Sequence, residues 1–282
     1  FQYALARHLS IIKKTECLID ITPYNWDKLR VFELNDIFSH KIKIADSKDI
    51  EKLLKKHKYS LLNRIKRKIL GGDFPYYLHS TVKEKHFRFD KNILKVSANS
   101  ILVGHWQSEK YFLSIKNQII EYFSFAKEAN IYYSQIIKSL SKMENTVSIH
   151  VRRSDYLNDK TTLAFHGLCS LEYYENAISY MNSKISQPFY IVISDDIEFC
   201  KNNFQNIDNK LFIENNMGAD YEDLRLMNLC KHNIIANSSF SWWGAWLNQN
   251  PNKIVIAPKQ WFANEEMQAQ TQDLIPESWI RM

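Results

Sequence analysis

The second half of the chain alternates short apolar runs with longer stretches of helical spacing. Apolar, β-rich runs fall at Val147–Val151, Phe189–Ser194, Leu211–Ile213, Asn233–Ala236 and Lys253–Ala257, and the periodicity between them predicts helices at Leu171–Ile185, Ile197–Phe204, Asp220–Lys231 and Phe240–Asn248. Strands alternating with helices imply a mostly parallel sheet with right-handed crossovers. The first half is more helical. Its pattern predicts a helix at Gln2–Lys13, a strand at Cys17–Ile21, a long basic helical region, a strand at Ile101–Gly104, and helices at Ser108–Phe123 and Ile131–Ser141. The basic region sets the cations of Lys52–Lys58 and Arg64–Lys68 around an apolar face of Leu53, Leu54, Leu61, Leu62, Ile65 and Ile69. A chain of 282 residues exceeds the usual size of one hydrophobic core. The change of pattern near Ser141–Thr146 therefore divides it into two lobes, 1–143 and 144–282, with a cleft expected between them.

Composition changes this picture little. Hydrophobic residues make up 45% and charged residues 24%, an ordinary globular balance. The net charge of +6 suits a polyanionic ligand or an anionic membrane surface, although the lysine runs read first as a solvated helix face. Nucleic acid is not expected as a partner. The four cysteines lie far apart with no C-x-x-C pair, against both a zinc knuckle and a disulfide scaffold. No apolar run approaches the roughly 18–20 residues that span a bilayer, and the N-terminus is not a signal sequence. A cytoplasmic protein is expected, with peripheral attachment at the inner face of the membrane kept open.

In open parallel sheets, ligands bind beyond the carboxyl ends of the strands. Three of those ends are chemically loaded. The first strand leads into His150-Val-Arg-Arg-Ser-Asp155, and adjacent arginines at a strand tip suit a diphosphate, because guanidinium makes bidentate, charge-assisted bonds to phosphate oxygens. Asp155 can take a proton from an attacking hydroxyl or fix an arginine. The second strand ends in Ser194-Asp-Asp196; one acid can cap the next helix, and the other is free to meet a ribose or base edge. The third runs into Asn237-Ser-Ser-Phe-Ser241 at a helix start, where unpaired N–H groups and the helix dipole favour an anion. Ser capping and packing of Trp242, Trp243 and Trp246 are the plain alternative. Upstream, Asp223 stands at the capping-box position of a helix opened by Asp220, and an acid there can instead accept the paired N–H donors that distinguish guanine.

These segments, with Phe1-Gln-Tyr-Ala-Leu-Ala-Arg7 and Gly104-His-Trp-Gln-Ser-Glu-Lys-Tyr-Phe112, closely resemble glycosyltransferase family 11, the galactoside α-1,2-fucosyltransferases, over most of the chain. The H-x-R-R-x-D segment is also similar to one shared by α-1,6- and O-fucosyltransferases. The resemblance implies a two-lobed GT-B fold with Rossmann-like parallel sheets. It also implies a metal-independent inverting reaction without a cofactor, GDP-β-L-fucose as donor and a galactose-terminated acceptor. It puts Arg152 on the donor diphosphate and His150 and Asp223 at the guanosine end; Asp155 is the base expected for the attacking hydroxyl, beside an oxocarbenium-like path that needs no strong base. Arg153, Asp195, Asp196, Asn237, Ser238, Ser239 and Ser241 are further donor contacts on this reading. Trp106, Gln107, Glu109 and Lys110 then fall on the acceptor side, with a Lys110–Glu109 surface pair as the plain alternative. Relatives begin with a strand and a G-G-L-G-N-Q-type loop that precede the first residue of this sequence, so a first lobe lacking both is expected. Ser154 stands where relatives carry Gly or Thr. The competing readings are a GDP-fucose transferase of other linkage and a non-catalytic carbohydrate-binding protein using tryptophan platforms.

Overall fold

The computed structural model describes residues 1–27, 31–58, 75–214 and 220–282. The chain divides into two compact units, Phe1–Ala126 with Gln272–Leu274, and Lys127–Thr271 with Ile275–Met282. The division falls earlier than the expected 143/144. The physical reason is the helix Ile131–Leu140: its Tyr133 and Leu140 pack with Ile191, Ile193, Leu226 and Met227 of the second unit.

In the first unit the helix Gln2–Lys13 forms as expected and buries Tyr3, Ala4, Leu5, His8 and Leu9. Two short parallel strands follow, β1 (Thr81–Lys83) and β2 (Ile101–Val103). The strand expected at Cys17–Ile21 reduces to a single bridge, Ile19 with Ile44. Asp20 ends it by accepting the Thr22 N–H and hydroxyl at 2.9 and 2.7 Å, and Pro23 then enters a 3-10 turn without an N–H to give a ladder. The helix expected at Ser108–Phe123 is regular only at Lys116–Tyr122; before it the chain makes two 3-10 turns, Glu109–Tyr111 and Leu113–Ile115. The basic region is helical over Ser47–Lys58, while Leu61, Leu62, Ile65, Ile69 and the Arg64–Lys68 cluster lie outside the described residues. No helix among the described residues is long and apolar enough to cross a membrane.

Among its described residues the second unit holds six strands: β3 (Thr146–Val151), β4 (Phe189–Ser194), β5 (Lys210–Phe212), β6 (His232–Ile234), β7 (Val255–Ala257) and β8 (Ile280–Arg281). All neighbours are parallel, in the order β5-β4-β3-β6-β7-β8. Counted within the unit this is 3-2-1-4-5-6, the doubly wound order, whose direction reverses between β3 and β6. Every residue of β3 is buried, as a central parallel strand covered on both faces requires. Val147, Ile149 and Val151 pack with Tyr174, Ala177 and Met181 of the helix Leu171–Lys184. On the other face Ser148 accepts a hydrogen bond from Asn233 Nδ2 at 2.8 Å. The helices Asp220–Leu229 and Ser239–Leu247 approach closely at Gly244, where an added Cβ would stand 2.7 Å from Met227 Cβ. The helices Ser154–Asn158 and Lys160–His166, which follow β3 directly, were not expected, nor was the short helix Glu265–Gln268.

Candidate functional site

The strand order sets the site. Connections leave β3 and β6 in opposite directions, and in sheets of this order ligands bind in the crevice outside the carboxyl ends of the strands at that point. The segment 152–156 borders it on one side and 235–239 on the other, and the Tyr156 hydroxyl donates to the Asn237 carbonyl at 3.3 Å.

Arg152 is half-buried at the tip of β3. Its Nη2 bonds Asp155 Oδ2 at 2.5 Å, and its Nε lies 3.5 Å from Asp195 Oδ2. Two carboxylates thus hold one guanidinium without burying it. Arg153 is employed differently. Its Nε reaches Asp196 Oδ2 at 3.3 Å and its guanidinium carbon sits 3.7 Å from the centre of the Phe199 ring.

The paired acids after β4 are taken up by the same loop. Asp195 accepts the Arg153 and Ser154 backbone N–H groups at 2.8 and 3.1 Å, and its own carbonyl accepts the Ser154 hydroxyl at 2.8 Å. Burial raises the Asp195 carboxyl, opposed by the Arg153 N–H and the Arg152 charge. Asp196 caps the helix Ile197–Asn203 by accepting the Phe199 N–H at 3.1 Å. Neither acid is left over in this arrangement. Among the described residues no three His, Cys, Asp or Glu side chains gather as a metal site.

His150 points to the other face of β3. It is 3% exposed, its Nδ1 has no protein partner, and its ring lies 5.6 Å from that of Phe240. Burial and then the Arg152 charge push its imidazole down to about 3, so the ring is neutral. Phe240 packs against the cluster containing Tyr133, whose hydroxyl donates to Asp223 Oδ1 at 2.8 Å. Asp223 is 7% exposed, and burial raises its carboxyl to about 7 against the Tyr133 hydrogen bond, with Asp220 and Glu222 adding to the rise. His150, Phe240 and the Asp223–Tyr133 pair therefore line one face of the sheet.

The third loop differs most from expectation. Ser238 precedes the helix Ser239–Leu247 but its side chain makes no capping bond, and Ser239 is exposed. Ser241 is buried and donates to the Ser238 carbonyl at 3.2 Å. Asn237 is 2% exposed, and its Nδ2 faces the carbonyls of His166, Gly167 and Trp261 at 3.0, 3.3 and 3.2 Å. Ser241 and Asn237, both expected as donor contacts, thus spend their donors on protein carbonyls. Trp242 and Trp246 are core residues, stacked 6.1 Å apart, as the packing alternative held, so neither offers the stacking platform of the competing carbohydrate-binding reading.

In the first unit Trp106 is 2% exposed and packs edge-on to Tyr111 at 5.9 Å, so its indole is closed to a sugar. Gln107 and Glu109 are half-buried. Lys110 pairs with Asp273 at 2.7 Å. The sequence reading missed Tyr133, Tyr156 and the helix pair at 154–166. Asp159, which caps Lys160–His166 through the Thr161 N–H at 2.9 Å, was the one local signal for that pair.

Comparison with known proteins gives the chain a family. The sequence profile of Glycosyl transferase family 11 matches residues 31–282. An α-1,2-colitosyltransferase of Escherichia coli is 40% identical over 185 residues, 64% of this chain and 61% of that protein. The O-antigen biosynthesis glycosyltransferase WbnK of Escherichia coli is 31% identical over 100% of this chain and 96% of its own length. A galactoside 2-α-L-fucosyltransferase SEC1 of Bos taurus is 21% identical over 61% of this chain and 47% of its own. With a family profile running through both units and a relative matched along its whole length, this chain belongs to glycosyl transferase family 11 and is a glycosyltransferase.

Proposed function

We propose that this protein transfers L-fucose from GDP-β-L-fucose to the 2-hydroxyl of a terminal β-galactoside, with inversion, in the assembly of a surface glycan such as an O-antigen. The observation that carries this reading is Arg152 at the switch point, braced by Asp155 and Asp195 and still half-exposed. The diphosphate lies on Arg152 and on the N–H groups that open the helix Ser239–Leu247, with the Ser238 and Ser239 hydroxyls beside it. The guanosine extends along the opposite face toward His150 and Asp223. The unpartnered His150 Nδ1 supports this, because a buried polar atom without a partner is costly unless a ligand or water meets it.

The chemistry is one displacement. The galactose O2 attacks the anomeric carbon, the bond from that carbon to the β-phosphate oxygen breaks, and the hydroxyl proton passes to solvent water, which suffices where the transition state is oxocarbenium-like. Negative charge grows on the departing GDP, and Arg152 meets it in place without reorganising. Asp155 was the expected base. Its hydrogen bond to Arg152 supports a positioning role instead, because that carboxylate oxygen is already engaged by the guanidinium it orients. On this reading a resident metal is not needed, because protein cations and helix N–H groups neutralise the leaving group.

A second donor is favoured by one observation. The relative 40% identical to this chain is a colitosyltransferase. Colitose lacks the 3-hydroxyl of fucose, and GDP-colitose offers the same nucleotide and diphosphate to the site. Turnover of the two donors in competition separates the readings.

The test of the shared donor site is calorimetry with GDP and turnover with GDP-fucose for Arg152→Ala and Arg152→Lys. Both should lose about 100-fold or more in turnover, because Lys keeps the charge but not the bidentate geometry. Near-normal GDP affinity and turnover in Arg152→Ala would remove Arg152 from the site.

A further inference from the structure

We infer that Asn237 is a positioning residue for Arg152 and makes no contact with the donor. This rests on the donor-site reading above. The Asn237 side chain joins three segments that meet at the switch point. Its amide nitrogen faces the His166 and Gly167 carbonyls at the end of the helix pair 154–166, and the Trp261 carbonyl in the loop after β7. Its amide oxygen accepts the Cys169 thiol at 3.5 Å, and its backbone carbonyl accepts the Tyr156 hydroxyl at 3.3 Å. No polar atom of the side chain remains for a ligand, and the residue is 2% exposed.

The helix pair it holds begins two residues after Arg152 and carries Asp155, the tightest partner of that arginine. Other bonds fasten the same pair to the same loop. The Ala263 and Asn264 N–H groups donate to the His166 and Phe165 carbonyls at 3.2 and 3.1 Å. Tyr156 stacks on His166 at 5.0 Å with a 17° tilt. The exit is fixed by Gly167, at φ 68° and ψ −178°, a conformation open almost solely to glycine. Asn237 is thus the node through which the end of β6 sets where Asp155 stands, and Asp155 sets where Arg152 points.

A double-mutant cycle between Asn237 and Arg152 tests this. Asn237→Asp puts a carboxylate oxygen against three carbonyls. It should lower GDP affinity and kcat about 30-fold, while the acceptor KM stays within about twofold. In an Arg152→Ala background the same substitution should cost less than about threefold in GDP affinity, because the group it positions is gone. Equal losses in both backgrounds mean direct contact with the donor and overturn the inference while leaving the donor site standing. Full GDP affinity in Arg152→Ala alone overturns both. Tyr156→Phe guards against misfolding, since it removes one hydroxyl only. It should keep the melting temperature within about 2 °C and lower kcat about 3–10-fold. Unchanged kcat in that variant also overturns the inference.

Discussion

Arg152 and Arg153 are adjacent in sequence, yet their side chains leave the strand tip toward different tasks. Arg153 is spent on Asp196 and the Phe199 ring, whereas Arg152 keeps an accessible guanidinium between two acids. Asp223 carries a different kind of consequence. Its folded pKa of about 7 lies above the ordinary 3.8, so the folded state holds the proton more tightly than the unfolded chain. The sign follows directly: stability contributed by this group is present below pH 4, falls as pH rises from 4 to 7, and is fully lost above 7. Asp223→Asn should remove that slope. The difference between wild type and variant in denaturant unfolding should change by on the order of 3 kcal/mol between pH 4 and pH 8. A constant difference across that range would mean that Asp223 is ordinary in the fold. The same titration should weaken donor binding as pH falls below 7, because a protonated carboxyl accepts guanine N–H donors poorly.

At the scale of elements, the helices Asp220–Leu229 and Ser239–Leu247 place Asp223 and Ser239 by packing at Gly244. Gly244→Ala would force a methyl to within 2.7 Å of Met227 Cβ. Overpacking of this kind costs about 1–3 kcal/mol, read as a lower melting temperature. An unchanged melting temperature would show that the two helices separate freely. The β-α alternation that makes this unit was legible in the sequence because each strand is a continuous apolar run and each helix keeps its period; the helix expected at Leu171–Ile185 forms over Leu171–Lys184. The first unit was less legible. Its Cys17–Ile21 run has strand composition but only one bridged residue, and Ser108–Phe123 has helical spacing broken by 3-10 turns. Tertiary contacts, such as the edge-on Trp106–Tyr111 pair, decide those segments more than local propensity does.

For the whole molecule, the loaded strand ends could be named from sequence because ligands gather where a doubly wound sheet reverses, and the reversal follows from strand order. Which polar groups were already taken could not be named. Asn237 meets His166 and Trp261, and Asp223 meets Tyr133, across dozens of residues with no local signal. The division of labour that results assigns charge neutralisation to Arg152 and the helix start, so turnover should persist in EDTA, and abolition by the chelator with rescue by a divalent cation would contradict it. Transfer of fucose to the galactose 2-hydroxyl is read most directly by NMR of the product formed from GDP-fucose and N-acetyllactosamine. One new α-linked fucose on the galactose O2 is expected; a different linkage, or release of free fucose without transfer, would rule out α-1,2 transfer.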